Sequence, residues 1–79
     1  MKFKVKYFAS LREKADKNEE EFSEFFLNSK DLYLFLTKKY NFPLGIDEIK
    51  VAINGEYHDF QKEIASGDVI AFIPPVAGG

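Results

Sequence analysis

Cysteine and tryptophan are absent from this 79-residue chain, and histidine and methionine occur once each. Without cysteine there is no disulfide, no thiolate zinc site and no cysteine nucleophile. The lone histidine, His58, has no second ligand candidate nearby, so a surface residue is expected and no metal site. An excess of positive charge is missing too. Eleven Lys and Arg stand against 13 Asp and Glu, a net charge of -2, which argues against a general nucleic-acid binder. No apolar run approaches membrane-spanning length. The opening Met1-Lys2-Phe3-Lys4-Val5-Lys6 alternates charge and lacks the apolar stretch of a signal peptide. The expected location is cytoplasmic, with no nucleic-acid or membrane partner. One domain is expected. At this length it buries only about 60–65% of its unfolded surface, which leaves little room for an internal pocket beside a core.

What is present is 46% hydrophobic and rich in Phe and Tyr, which argues a globular chain. Lys2 to Tyr7 alternates, with Phe3, Val5 and Tyr7 facing one way and Lys2, Lys4 and Lys6 the other: a half-buried strand. Phe8 falls on the lysine face. Either it is a contact residue, or the strand ends there and Phe8 turns inward. Ser10 to Ala15 is expected to form a short helical turn, with Ser10 as N-cap and Glu13 at capping-box spacing. Asp16 to Glu21 carries four acidic residues in six and reads as a solvated turn without calcium-loop spacing. Glu20 to Leu27 is expected to be a second strand, hairpinned with the first, whose alternation slips after Glu24. Asn28-Ser29 opens a helix running to about Lys39, with Asn28 as N-cap. Leu32, Phe35, Leu36 and Tyr40 make its apolar core stripe, and Lys38 and Lys39 lie in its last turn. Asn41 and Pro43 close it.

Lys50 to Ile53 is a third strand. Asn54-Gly55 is a type I′ hairpin signal, which makes Glu56 to Asp59 the return strand. Tyr57 and His58 then face opposite ways. After a turn at Ser66-Gly67-Asp68, Val69 to Ile73 is apolar throughout. That predicts a strand in the sheet interior with both faces covered. Pro74 and Pro75 remove two backbone donors and end that strand. Val76-Ala77-Gly78-Gly79 follow, and the last two residues have no side chains. A slim peptide ending in a carboxylate can thread a narrow channel into another protein's active site. A frayed terminus is the bland alternative. Chance places Gly-Gly at a chain end only about half a per cent of the time, from Gly usage of ~7%.

The element order is strand, strand, helix, strand, strand, strand. One main helix must cover one face of one sheet. The expected fold is α+β: a β-grasp with a mixed sheet of about five strands, first and last strands adjacent and parallel. The packed domain is expected over 1–74 and a flexible tail over 75–79. The chain resembles the ubiquitin-like sulfur carriers, and among them the small subunits of molybdopterin synthase. The resemblance is carried by Tyr7-Phe8-Ala9-Ser10-Leu11-Arg12-Glu13, by Val51-Ala52-Ile53-Asn54-Gly55 and, most specifically, by Gly67 through Gly79.

That resemblance implies a mechanism. An ATP-dependent activating enzyme, which uses ATP and Mg, adenylates the Gly79 carboxylate. A persulfide sulfur then displaces AMP and leaves a terminal thiocarboxylate. The large subunit of molybdopterin synthase accepts the tail, in a heterotetramer of two small and two large subunits, and the sulfur goes to the pterin precursor. The domain supplies no general base and no phosphate-binding loop, so it is expected to be a carrier that binds no cofactor itself. By position, the family's apolar docking residues fall on Phe8, Tyr57 and Ile73. Tyr at 57 and Ile at 73 depart from the commonest types. A thiamin-pathway sulfur carrier, a ubiquitin-like protein modifier and an interaction module with an inert tail are the alternatives.

Overall fold

The computed structural model describes residues 1–75. Five strands and two α-helices follow in the order β1 (Phe3–Tyr7), α1 (Ala9–Ala15), β2 (Glu19–Phe22), α2 (Ser29–Tyr40), β3 (Lys50–Ile53), β4 (Glu56–His58), β5 (Val69–Ile73). A 3-10 turn at Ile46–Glu48 precedes β3. The strands form one sheet in the order β2-β1-β5-β3-β4. β1 and β5 pair in parallel, and the other neighbours are antiparallel. This is the mixed sheet of a ubiquitin-like β-grasp, with the chain's first and last strands side by side.

α2 forms where its sequence signals place it. The Asn28 side chain accepts a hydrogen bond from the Asp31 amide at 3.0 Å, satisfying one of the first-turn donors that have no partner inside the helix. At the other end Asn41 takes φ 58°, and its amide donates to the Thr37 carbonyl at 2.8 Å. Leu32 and Leu36 are fully buried, as is Tyr33, which the apolar stripe did not include. Tyr33 packs on Phe72 of the central strand, ring centres 5.1 Å apart, and its hydroxyl donates to the Leu44 carbonyl at 2.7 Å. That bond lets a polar tip sit under the helix without an unpaired group. Burial also raises the Tyr33 hydroxyl above its ordinary value. Phe3, Phe22, Phe26 and Phe35 make a second aromatic cluster at the β2 end. Full burial of each such ring stabilises by about 1.5–3 kcal/mol.

The structure corrects four local expectations. β2 stops at Phe22 rather than running to Leu27. Phe22 is opposite Phe3, the first residue of β1, so the ladder has no partner further on. Beyond it Phe26 turns to the core while Phe25 is exposed. Ser10 is not an N-cap. Phe8 holds that position without a side-chain bond, and its carbonyl accepts from the Leu11 and Arg12 amides. Ala9 takes φ 49°, and this sharp turn starts α1 before Ser10. Asp16 to Glu21 is not simply a solvated turn, because Asp16 caps α1 and Glu19 to Glu21 belong to β2. Finally, β5 is interior in the sheet, as expected, but is not covered on both faces. Ile70 and Phe72 are fully buried against the helix side, while Val69, Ala71 and Ile73 are half-buried on an open face. With α2 on one side, only side chains of the flanking strands screen the other.

Candidate functional site: the open face where the chain leaves the sheet

The site begins with the β3–β4 hairpin. Asn54 and Gly55 take φ 53° and 86°, the left-handed pair of a type I′ turn. Asn54 is also held from outside: its side chain accepts from the Val69 amide and donates to Asp68, both at 2.9 Å. This fixes the register Ala52 to Tyr57 and Val51 to His58. Val51 faces the core, so His58 lies on the core side and Tyr57 on the open face, 66% exposed. Lys50 is opposite Ile73 in the adjoining ladder.

β5 delivers the chain to this place. Ile73 is half-buried, Pro74 is buried and Pro75 is exposed. Tyr57, Ile73, Pro74 and Pro75 line one shallow depression with Glu48 and Lys50. Phe8 is not among its lining residues. Tyr7 is level with Phe72, which puts Phe8 at the level of Ile73 on the other side of β5. Phe8 keeps an extended backbone, φ -130° and ψ 150°, so the alternation of β1 carries through and turns it to the lysine face, 43% exposed. β1 ends at Tyr7, but Phe8 does not turn inward. The structure thus brings Tyr57 and Ile73 into one concavity and sets Phe8 one strand away. Val76, Ala77, Gly78 and Gly79, expected to form the tail, lie outside the described residues.

Two further features, one at this face and one on the core side, went unread in the sequence. The Lys50 ammonium sits 5.6 Å from the centre of the Tyr57 ring, a cation–π distance. The other is Glu20. Its carboxylate accepts from the Tyr7 and Tyr40 hydroxyls at 2.6 and 2.5 Å and faces Lys17 and Lys39 at 3.5 and 3.8 Å. Burial pushes this carboxyl up, but the two hydroxyls and two ammonium groups outweigh it and hold it below its ordinary value. Burial first, then the bond to Glu20, drives the Tyr7 hydroxyl far upward, so it stays protonated. Lys17 is raised by its contact with Tyr40 and by the Glu20 charge. Strand parity alone could have placed Glu20 with Phe22 on the core side; the acidic run around it hid that signal.

Among the described residues no three His, Cys, Asp or Glu are grouped to hold a metal. No helix of the described residues is long and apolar enough to cross a membrane.

Known proteins share this fold. The profile of the ThiS family matches residues 5–79. No curated protein matches. Among solved structures, one described as molybdopterin converting factor subunit 1 from Pyrococcus furiosus is 32% identical, covers 96% of this chain and 99% of its own, and superposes with TM-score 0.81. The small archaeal modifier protein 1 from Methanosarcina acetivorans is 31% identical over 99% of this chain and 96% of its own, TM-score 0.76. A chain in the complex of subunits 1 and 2 of molybdopterin-converting factor from Helicobacter pylori is 24% identical over the full length of both, TM-score 0.70, a likeness of fold. With its family profile spanning nearly the whole chain and its β-grasp sheet in place, the protein belongs to the ThiS family of ubiquitin-like sulfur carriers.

Proposed function

We propose that this chain is the sulfur-donating small subunit of molybdopterin synthase, with the Gly79 carboxylate as the site of chemistry. The observation that carries the reading is how the tail is rooted. The central strand ends at Ile73, Pro74 is packed, and the chain leaves beside exposed Tyr57 and Phe8. Likeness to a molybdopterin converting factor subunit 1 supports the pathway. In the activating enzyme the carboxylate attacks the α-phosphorus of ATP, with Mg, and releases pyrophosphate. A persulfide attacks the resulting acyl adenylate and expels AMP. A second thiol then attacks the inner, donor-cysteine sulfur of that acyl disulfide, forming a disulfide with it and releasing the terminal thiocarboxylate. The tail then enters the large subunit, two of each in the complex, and gives its sulfur to the pterin precursor. Gly78 and Gly79 suit a channel that passes main chain only. The domain binds no cofactor in this scheme, and the cytoplasm, where ATP is at hand, is its setting.

The test is the intact mass of the protein after incubation with an activating enzyme, ATP and a sulfur donor. One oxygen should be replaced by sulfur. An unchanged mass, while the same enzyme acts on a known carrier, overturns the proposal. A second reading, a protein modifier, is favoured by the likeness to small archaeal modifier protein 1. Isopeptide conjugates of Gly79 on lysines of other proteins would select it.

A further inference from the structure

We propose that Lys50, laid against the Tyr57 ring at the root of the tail, is the receptor for a carboxylate side chain on the protein that takes up the tail. This rests on the reading above, that a large subunit docks on this face.

Three lysines are held over aromatic rings among the described residues: Lys17, Lys39 and Lys50. Lys17 and Lys39 also face Glu20. No ion pair among the described residues involves Lys50. Glu48, which lines the same depression, has its carboxylate accepting from the Gly45 amide at 2.7 Å and makes no ion pair with Lys50. Lys50 therefore has a defined resting place and no acidic partner among the described residues. Its backbone is locked opposite Ile73, and its head rests by the Tyr57 ring.

Both facts favour binding. A cation already held in place loses little freedom when it pairs. Tyr57, Ile73 and Pro74 supply apolar surface around it, and a docked partner would complete the exclusion of water, which strengthens an ion pair. The chain as a whole is acidic, at net -2, and the tail's exit offers a cation beside one carboxylate, Glu48, that is already bonded to the Gly45 amide. Charge complementarity then calls for an Asp or Glu on the partner, flanked by apolar residues that meet Tyr57 and Ile73. Such a pair would fix the register of docking and so aim the tail.

The experiment uses the full chain and the large subunit of molybdopterin synthase from the same source. Binding is titrated at low and high salt for the wild type, Lys50→Arg, Lys50→Ala and Lys50→Glu, and each variant is melted. Lys50 is exposed, so all should melt as the wild type does. Lys50→Ala should weaken binding about fivefold with a flatter salt dependence, and Lys50→Glu on the order of 50-fold because like charges then meet. Lys50→Arg should retain binding. Carbodiimide, which joins an amine to a touching carboxylate, should cross-link Lys50 of the wild type to an Asp or Glu of the large subunit. If the wild type binds but Lys50→Glu binds equally well at both salts and no Lys50 cross-link forms, the inference is overturned while the functional reading stands. If the wild type does not bind the large subunit at all, that reading fails and the inference with it.

Discussion

Phe8 separates the two things a large aromatic can do in a domain this small. A Phe wholly inside the core costs about 3–5 kcal/mol when cut to Ala. Phe8 already has 43% of its surface in water, and its extended backbone points it away from the core. Phe8→Ala should therefore cost less than about 1.5 kcal/mol of stability, the lower end of a buried side chain's contribution. It should weaken binding to the large subunit by at least about 1–2 kcal/mol, because rigid aromatics are the usual anchors of an interface. A melt and a titration of the same variant check both. Normal affinity with a large drop in stability would return Phe8 to the core. Ala9 helps to set this outcome. Its left-handed φ of 49° is the bend that starts α1 directly after Phe8. Such a conformation costs an L-residue roughly 1–2 kcal/mol.

Among elements, Glu20 ties strand, helix and turn together through side chains. It sits on β2, accepts from Tyr7 of β1 and Tyr40 of α2, and faces Lys17 of the turn after α1 and Lys39 of α2. The folded state holds this carboxyl below its ordinary value of 4.5. Its contribution to stability is then complete above that value and is lost as the pH falls through the lower folded value. The wild type should lose stability on acidification below about pH 5 in part through this group. Glu20→Gln keeps an acceptor for the tyrosines but cannot ionise. It should be less stable at neutral pH by about 1 kcal/mol, the difference between a charged and a neutral acceptor. Its stability should also fall less steeply in acid. Urea melts of both proteins across the acid range measure this. Parallel curves for the two would mean that Glu20 does not carry the acid loss.

At the scale of the whole molecule, fold and tail are expected to be separable. The core lies between α2 and the helix side of the sheet, and the packed chain reaches Pro74. Gly78 and Gly79 have no side chains to bury. Removing them should change stability by no more than a surface substitution does, within about 0.5 kcal/mol, and should abolish sulfur transfer. A truncated protein that melts clearly lower would show the tail packing on its own domain. A truncated protein still active in transfer would move the chemistry away from Gly79.

The sequence by itself determined the features that need only neighbouring residues. Asn28 caps α2 because its side chain reaches an amide three residues on, and Asn54-Gly55 turns because those residues tolerate positive φ. Alternation in β1 sorted Phe3, Val5 and Tyr7 from Lys4 and Lys6 for the same reason: parity is a property of the backbone. The β-grasp, with first and last strands adjacent and parallel, followed as well, since one main helix and five strands leave few ways to cover a face. Tertiary structure decided where a strand runs out of partners, as β2 does at Phe22, and which face of β5 stays open. It also decided that Glu20, within an acidic run, turns inward to two tyrosines, and that Lys50 meets Tyr57 beside the tail. Those contacts join residues brought together by sheet register and helix packing. Their energies depend on distance and burial, which no local pattern of residues encodes.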